Sequence, residues 1–241
     1  MNVLNKLLIL TLFATIGFMS LRGVSAFFSD TETSTGNVFQ ASAVFPTPTP
    51  DIPTLVISEV QITGGPGDAG HDFVEFYNPT NAPFDLDGHR LVKRSGSAAV
   101  DTTIKSWTDS TIVPAYSFYL WASTDEAFNV TVGADAATSD NIGSNNSIAL
   151  RFGVENTGTI IDALSWNDAS ASLKEGTEFT PNPGANQSME RKALSTSTQA
   201  TMEGGADAAK GNGFDAGNNA TDFILRLVSE PQNSGSAAES P

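Results

Sequence analysis

Cysteine is absent from the 241 residues, histidine occurs twice, and Lys and Arg number 12 against 27 Asp and Glu. The first absence excludes disulfides, thiolate nucleophiles and thiolate metal sites. A domain without cross-links must hold itself together by its core, which a chain of about 180 residues can do by burying roughly 70% of its unfolded surface. The two histidines, His71 and His89, form no zinc-binding His pair. The shortage of basic residues gives a net charge of −15 and no basic footprint for counterion release, so nucleic acid is not an expected partner. Such a charge does suit a soluble, exported protein.

Long apolar runs are also scarce, and the clearest lies at Leu7–Phe18. It is too short to span a bilayer comfortably. Lys6 supplies a positive charge before it, and Val24-Ser25-Ala26 after it forms a small-residue cleavage site. This is the pattern of a signal peptide over residues 1–26, with cleavage after Ala26. It predicts a secreted or cell-surface protein. An uncleaved membrane anchor is the alternative, because Phe27 and Phe28 extend the apolar region past Arg22.

The remainder of the chain divides by composition. Residues 27–44 are rich in Thr and Phe and read as an extended segment without a core of its own. Residues 45–53, "FPTPTPDIP", form a semi-rigid Pro-rich linker. Residues 54–230 form one globular domain, and residues 231–241, poor in apolar side chains, are expected to be disordered.

Within the domain the periodicity is two. Val56, Val60 and Ile62 fall on one face with Ser58; Phe118, Leu120 and Ala122 oppose Tyr119 and Trp121; Ile148, Leu150 and Phe152 oppose Ala149 and Arg151. Gly, Pro, Asn and Asp clusters bound each run, and no stretch after the leader carries a convincing amphipathic helix. The pattern predicts an all-β protein, an antiparallel β-sandwich. It also predicts one core containing Val56, Val74, Phe76, Leu86, Leu120, Leu150 and Leu225.

The stretch "DFVEFYNPTNAPFDLDGHRL", residues 72–91, gathers Glu75, Asp85, Asp87 and His89. Asp85 and Asp87 flank Leu86, so alternation turns Leu86 inward and both carboxylates outward. Catalysis would need a carboxyl group of raised pKa in a pocket. The spacing instead predicts scaffolding with its polar side in water, and no catalytic residue.

The same stretch, together with "LVISEVQITG" before it, resembles the opening of the bacterial lamin tail domain. "GTIIDALSW" (residues 158–166), "NQSMERK" (186–192), "GFDAGNNATDFILR" (213–226) and "PQNS" (231–234) resemble later segments of that family, in the right order. The resemblance implies an immunoglobulin-like sandwich that serves as a non-catalytic binding, anchoring or assembly module. His89 stands where the family usually carries Trp, which implies a ring in an aromatic packing site. Residues 26–42, "AFFSDTETSTGNVFQAS", are similar to the N-terminus of camelysin-type and biofilm matrix fibre proteins. That similarity implies surface or matrix exposure and possible self-assembly through residues 27–44. Expected partners are cell-surface or matrix proteins or glycans.

Two other readings compete. Asp215, Asn218, Asn219 and Asp222 place oxygens in one turn and are calcium candidates, although their spacing does not match an EF-hand and Asx turns account for the same residues. No other cofactor is expected. Trp107, Trp121 and Trp166 would be the platform of a carbohydrate-binding module if they were exposed. A hydrolase site grafted on the sandwich is the remaining alternative.

Overall fold

The computed structural model describes residues 55–96, 98–167 and 173–241. The cleavage site at Ala26, the segment 27–44 and the linker 45–53 lie outside the described residues.

Among the described residues twelve strands follow in order: β1 (Val56–Gln61), β2 (Phe73–Tyr77), β3 (Phe84–Asp85), β4 (His89–Ser95), β5 (Thr102–Ser106), β6 (Ile112–Val113), β7 (Phe118–Ser123), β8 (Ala136–Thr138), β9 (Asn146–Phe152), β10 (Thr159–Ser165), β11 (Ser188–Arg191) and β12 (Phe223–Arg226). One sheet runs β12-β11-β1-β2-β7-β8 and the other β10-β9-β4-β5, with β3 and β6 as a small ribbon. The paired strands are antiparallel except for β7 and β8. The described helices are single turns, the longest of four residues, and none is long and apolar enough to cross a membrane.

The core between the sheets takes Ile57, Val60, Val74, Phe76, Trp121 and Met189 from the larger sheet, and Leu91, Ile104, Ile148, Leu150 and Leu164 from the smaller. Leu86 joins it fully buried, and Leu225 packs against it half-buried. Two expected core members lie elsewhere. Leu120 is buried on the outer face of the larger sheet with Phe73, Ala122 and Phe128. Val56 lies on that outer face too, against Tyr77 and Phe118.

The reasons are physical. In β7 the inward face belongs to Tyr119 and Trp121, whose rings join the core between the sheets and whose polar atoms find partners. Trp107 Nε1 donates to the Tyr119 hydroxyl at 3.1 Å, and Trp121 Nε1 to Thr138 Oγ1 at 3.2 Å. In β1 a bulge inserts Ser58 between Ile57, paired with Phe76, and Glu59, paired with Glu75. One extra residue reverses the side-chain parity, so Val60 faces inward with Ile57 while Val56 faces outward.

Residues 231–241, expected to be disordered, are seated on the domain. Gln232 N–H donates to Glu75 at 2.5 Å, Glu239 N–H to the Tyr116 carbonyl at 2.9 Å, and Gly211 N–H to the Ser240 carbonyl at 3.0 Å. Composition foretold the lack of apolar anchors but not these polar ones.

Candidate functional site

The carboxylates of residues 72–91 separate into two kinds. Asp85 and Asp87 are exposed beside buried Leu86, as alternation predicts. Asp85 accepts from the backbone N–H groups of Asp87 and Thr111 and from Ser110 Oγ, tying β3 to the turn before β6. Those bonds favour its charge and hold its pKa below the usual range. His89 packs between Phe84 and Phe152, with ring centroids 5.0 Å from each, and burial lowers its pKa. This is the aromatic packing position expected of it. His71 stacks on Phe128 at 4.5 Å, with Nδ1 4.0 Å from Asp68.

Glu75 differs. It does not turn to water but lies 1% exposed on the outer face of the larger sheet. Register places it beside Glu59, and Glu59 beside Glu190, so three glutamates form a row across β2, β1 and β11. Serines sit beneath them. Ser58 Oγ donates to Glu75 at 2.6 Å, and Ser188 Oγ donates to Glu59. At the end of the row Arg226 Nη1 grips both oxygens of Glu190, at 2.8 and 2.9 Å. Residues 229–241 close the top, leaving a cavity of about 100 Å³ among Glu190, Asn212, Arg226, Glu230, Gln232 and Glu239.

Burial first, and then the charge of Glu190, push the Glu59 carboxyl up to about 8. Burial followed by the charge of Glu59 raises Glu75 well above its usual range, and burial raises Glu190 against the pull of Arg226. Glu59 and Glu75 can thereby hold protons at neutral pH. Glu190 lines the small polar cavity, while Glu59 and Glu75 lie beneath the Glu230 and Gln232 amides.

A second network lies between the sheets. Arg191 is fully buried, donates from Nη2 to both oxygens of Asp162 at 2.9 and 2.7 Å, and lies over the Phe223 ring at 4.6 Å. Asp162, Glu175 and Asp215 bring carboxylate oxygens within 4.8 Å of one another, a spacing a cation could use. The Arg191 guanidinium, bonded to Asp162 and 3.6 Å from Asp215, already supplies the positive charge there. Asp68, His71 and Glu126 form another such group at the surface.

The four calcium candidates are each committed to the fold. Asp215 accepts from Gly217 N–H; Asn218 from Thr177 and Ala220 N–H; Asp222 from Ala216 and Asn218 N–H. Asn219 accepts from Ser165 and Glu175 N–H and donates to the Ala163 carbonyl, pinning β10 to this loop. These are the Asx-type contacts that compete with a calcium site for the same oxygens. The tryptophans offer no sugar platform, since Trp107 is 4% exposed and Trp121 and Trp166 are fully buried.

Sequence reasoning missed Glu59, Asp162, Glu190, Arg191 and Arg226. The available signal was a charged residue inside an apolar strand, as in "VISEVQI" and "SMERK". A charge there is tolerated only when paired or hydrogen-bonded.

Taken together, these features define an immunoglobulin-like β-sandwich whose ionisable clusters lock strands and crossing segments in place. Residues 48–168 match the family model of the Lamin Tail Domain, and the chain belongs to that family. The family is one of non-enzymatic immunoglobulin-like domains. A similar solved structure is that of a DUF4876 family protein from Bacteroides thetaiotaomicron, with a TM-score of 0.52 and 12% identity over 79% of this chain and 75% of that one. At that identity the likeness is one of fold. No curated protein matches this sequence.

Proposed function

We propose that the chain is a secreted or cell-surface module, without catalytic activity, that binds, anchors or builds extracellular material. One observation carries the reading. Glu59 and Glu75, two buried carboxylates whose acidity burial weakens, are covered, engaged by Ser188 and Ser58, and met from above by the Glu230 and Gln232 amides. That is the wiring of a scaffold. The leader-like residues 1–26 support export, and the camelysin-like segment after them supports display among envelope or matrix proteins or glycans. The acidic balance supports partners other than nucleic acid.

Two measurements test it. Mild protease treatment of intact cells producing the full chain should remove the folded domain from the cell surface or its medium. A chain protected until the cells are lysed overturns export. Light scattering of the protein starting at Phe27 and at Phe45 tests assembly through residues 27–44, by addition of a strand to a sheet edge of the next copy. The longer form should be the larger by multiples of its own mass. Equal monomeric sizes exclude that route.

A further inference from the structure

Residues 229–241 carry no large apolar side chain, yet they cross the outer face of the larger sheet strand by strand. Glu230 N–H donates to Glu59 on β1 at 3.2 Å, Gln232 N–H to Glu75 on β2 at 2.5 Å, and Ser234 N–H to Asp135, just before β8, at 2.9 Å. Alternate N–H groups of an extended segment point the same way, and here each meets a carboxylate. The return leg is held by Tyr77, whose hydroxyl donates to the Glu239 carbonyl, and by the Tyr116 and Gly211 backbones. The segment is thus fastened by polar contacts over a row of acids, with the small cavity beside it.

We infer that residues 229–241 are a proton-controlled latch, closed while the carboxyl groups of Glu59 and Glu75 are neutral and opening as they ionise, with Glu190 held by Arg226 at the end of the row. The charges facing the row are unbalanced. Arg226 is the cation that touches it, already shared between Glu190 and Glu230. Glu203, packed beside β12, bonds the Leu227 N–H, and Lys210 is taken by Asp207. Glu230 and Glu239 add negative charge from the latch itself, and Asp135 adds it at the far end.

The sign follows from burial. Closed, the row holds its protons above the usual carboxyl range, led by desolvation and, for Glu59 and Glu75, reinforced by the neighbouring glutamate. The amides of Glu230 and Gln232 favour the ionised form, but as smaller influences. Opening hydrates the row and returns it toward ordinary acidity. Protons therefore favour the closed form, and its advantage falls by up to about tenfold per pH unit for each proton released.

The absence of cysteine makes a test direct, since Ala237→Cys gives a single attachment point on an exposed residue for a nitroxide. Spectra of the full chain should show an immobilised label at pH 5, with the ratio of closed to open falling at least tenfold by pH 9. Glu59→Gln with Glu75→Gln keeps the acceptors for both amides but cannot ionise, so the label should stay immobilised throughout. A label immobile to pH 9 in the unmodified row, or one released equally in the glutamine variant, overturns the latch. Should circular dichroism show the double variant unfolded, Glu75→Gln alone must weaken the pH response, and an unchanged response overturns it equally.

Discussion

Arg191 and Asp162 meet between the sheets at the point where β1 stops pairing with β11. Pairing ends at Glu59 and Glu190, and the peptide of Ile57 is served by the two side chains instead. Ile57 N–H donates to Asp162 at 2.5 Å, and Arg191 Nε donates to the Ile57 carbonyl at 2.8 Å. The ion pair thus completes the backbone that the bulge leaves unpaired. It joins three strands from both sheets, β1, β10 and β11. Arg191→Met should destabilise the domain by about 3–5 kcal/mol, because it strands a buried carboxylate and an orphaned carbonyl. Replacing both partners, Arg191→Met with Asp162→Leu, should cost less than the sum of the single changes. Urea titration of the four proteins checks the coupling.

Leu120 and Leu150 test the two faces of the larger sheet's surroundings. Leu150→Ala opens a void between the sheets and should cost about 3–5 kcal/mol. Leu120→Ala opens one beneath Phe128 and its short helical turn, a site able to settle inward, and should cost about 2–3 kcal/mol. A Leu120→Ala cost above that of Leu150→Ala would show that the outer cluster is the better packed.

Much of this fold was legible because alternation and turn residues are local. "SIALRF" and "DFVEFYN" declare strands, and the spacing of their segments declares a sandwich. What could not be read is parity and partnership. The bulge at Ser58 leaves no mark in "VISEVQI", since an inserted residue looks like any other until its partner strand is known. The choice between Leu120 and Trp121 for the inward face depends on partners distant in the chain, such as the Thr138 hydroxyl that takes the Trp121 indole N–H. The glutamate row was invisible for the same reason: Glu59, Glu75 and Glu190 are far apart in the chain and become neighbours through strand register. Residues 231–241 were misread because composition measures the lack of apolar anchors, not the presence of carboxylates awaiting amide donors.

Asp72 gives a stability prediction with a definite sign. It is fully buried at the entry to β2, accepts from Ile142 N–H at 2.6 Å, and burial raises its carboxyl to about 7. The folded state keeps a proton that the unfolded state loses near pH 4. The stabilisation it provides is therefore complete below about pH 4 and is lost as pH rises toward 7. Melting temperatures should fall across this interval, and Asp72→Asn should flatten the fall. His89, whose burial lowers its pKa, acts in the opposite sense near neutral pH. A wild-type profile that rises steadily from pH 4 to 7 would contradict the burial of Asp72.

The histidines should separate by packing. His89 touches two aromatic rings, and His89→Ala should cost about 1–2 kcal/mol by losing them. His71 stacks on Phe128 alone, at 19% side-chain exposure, and His71→Ala should cost less. Chemical denaturation of both variants gives the order directly.

The loop Asp215–Asp222 gives a prediction about calcium. A calcium ion needs six to eight oxygens, several of them carboxylate. Here Asp222 already accepts two amides at 3.1 and 2.9 Å, and Asn219 accepts two more at 3.1 and 3.2 Å while fully buried. Recruiting them would break the bonds that hold β10 against this loop, so the gain from the ion must exceed the loss of that lock. Adding calcium at millimolar concentration should leave the melting temperature unchanged, whereas a site binding at about 10⁻⁴ M would raise it by mass action. Asn219→Ala should lower stability by about 2–3 kcal/mol with or without calcium, because it leaves two amides and a carbonyl unpaired. A calcium-dependent rise in melting temperature that disappears in Asn219→Ala would make the loop a binding site and its present hydrogen bonds the ion-free alternative.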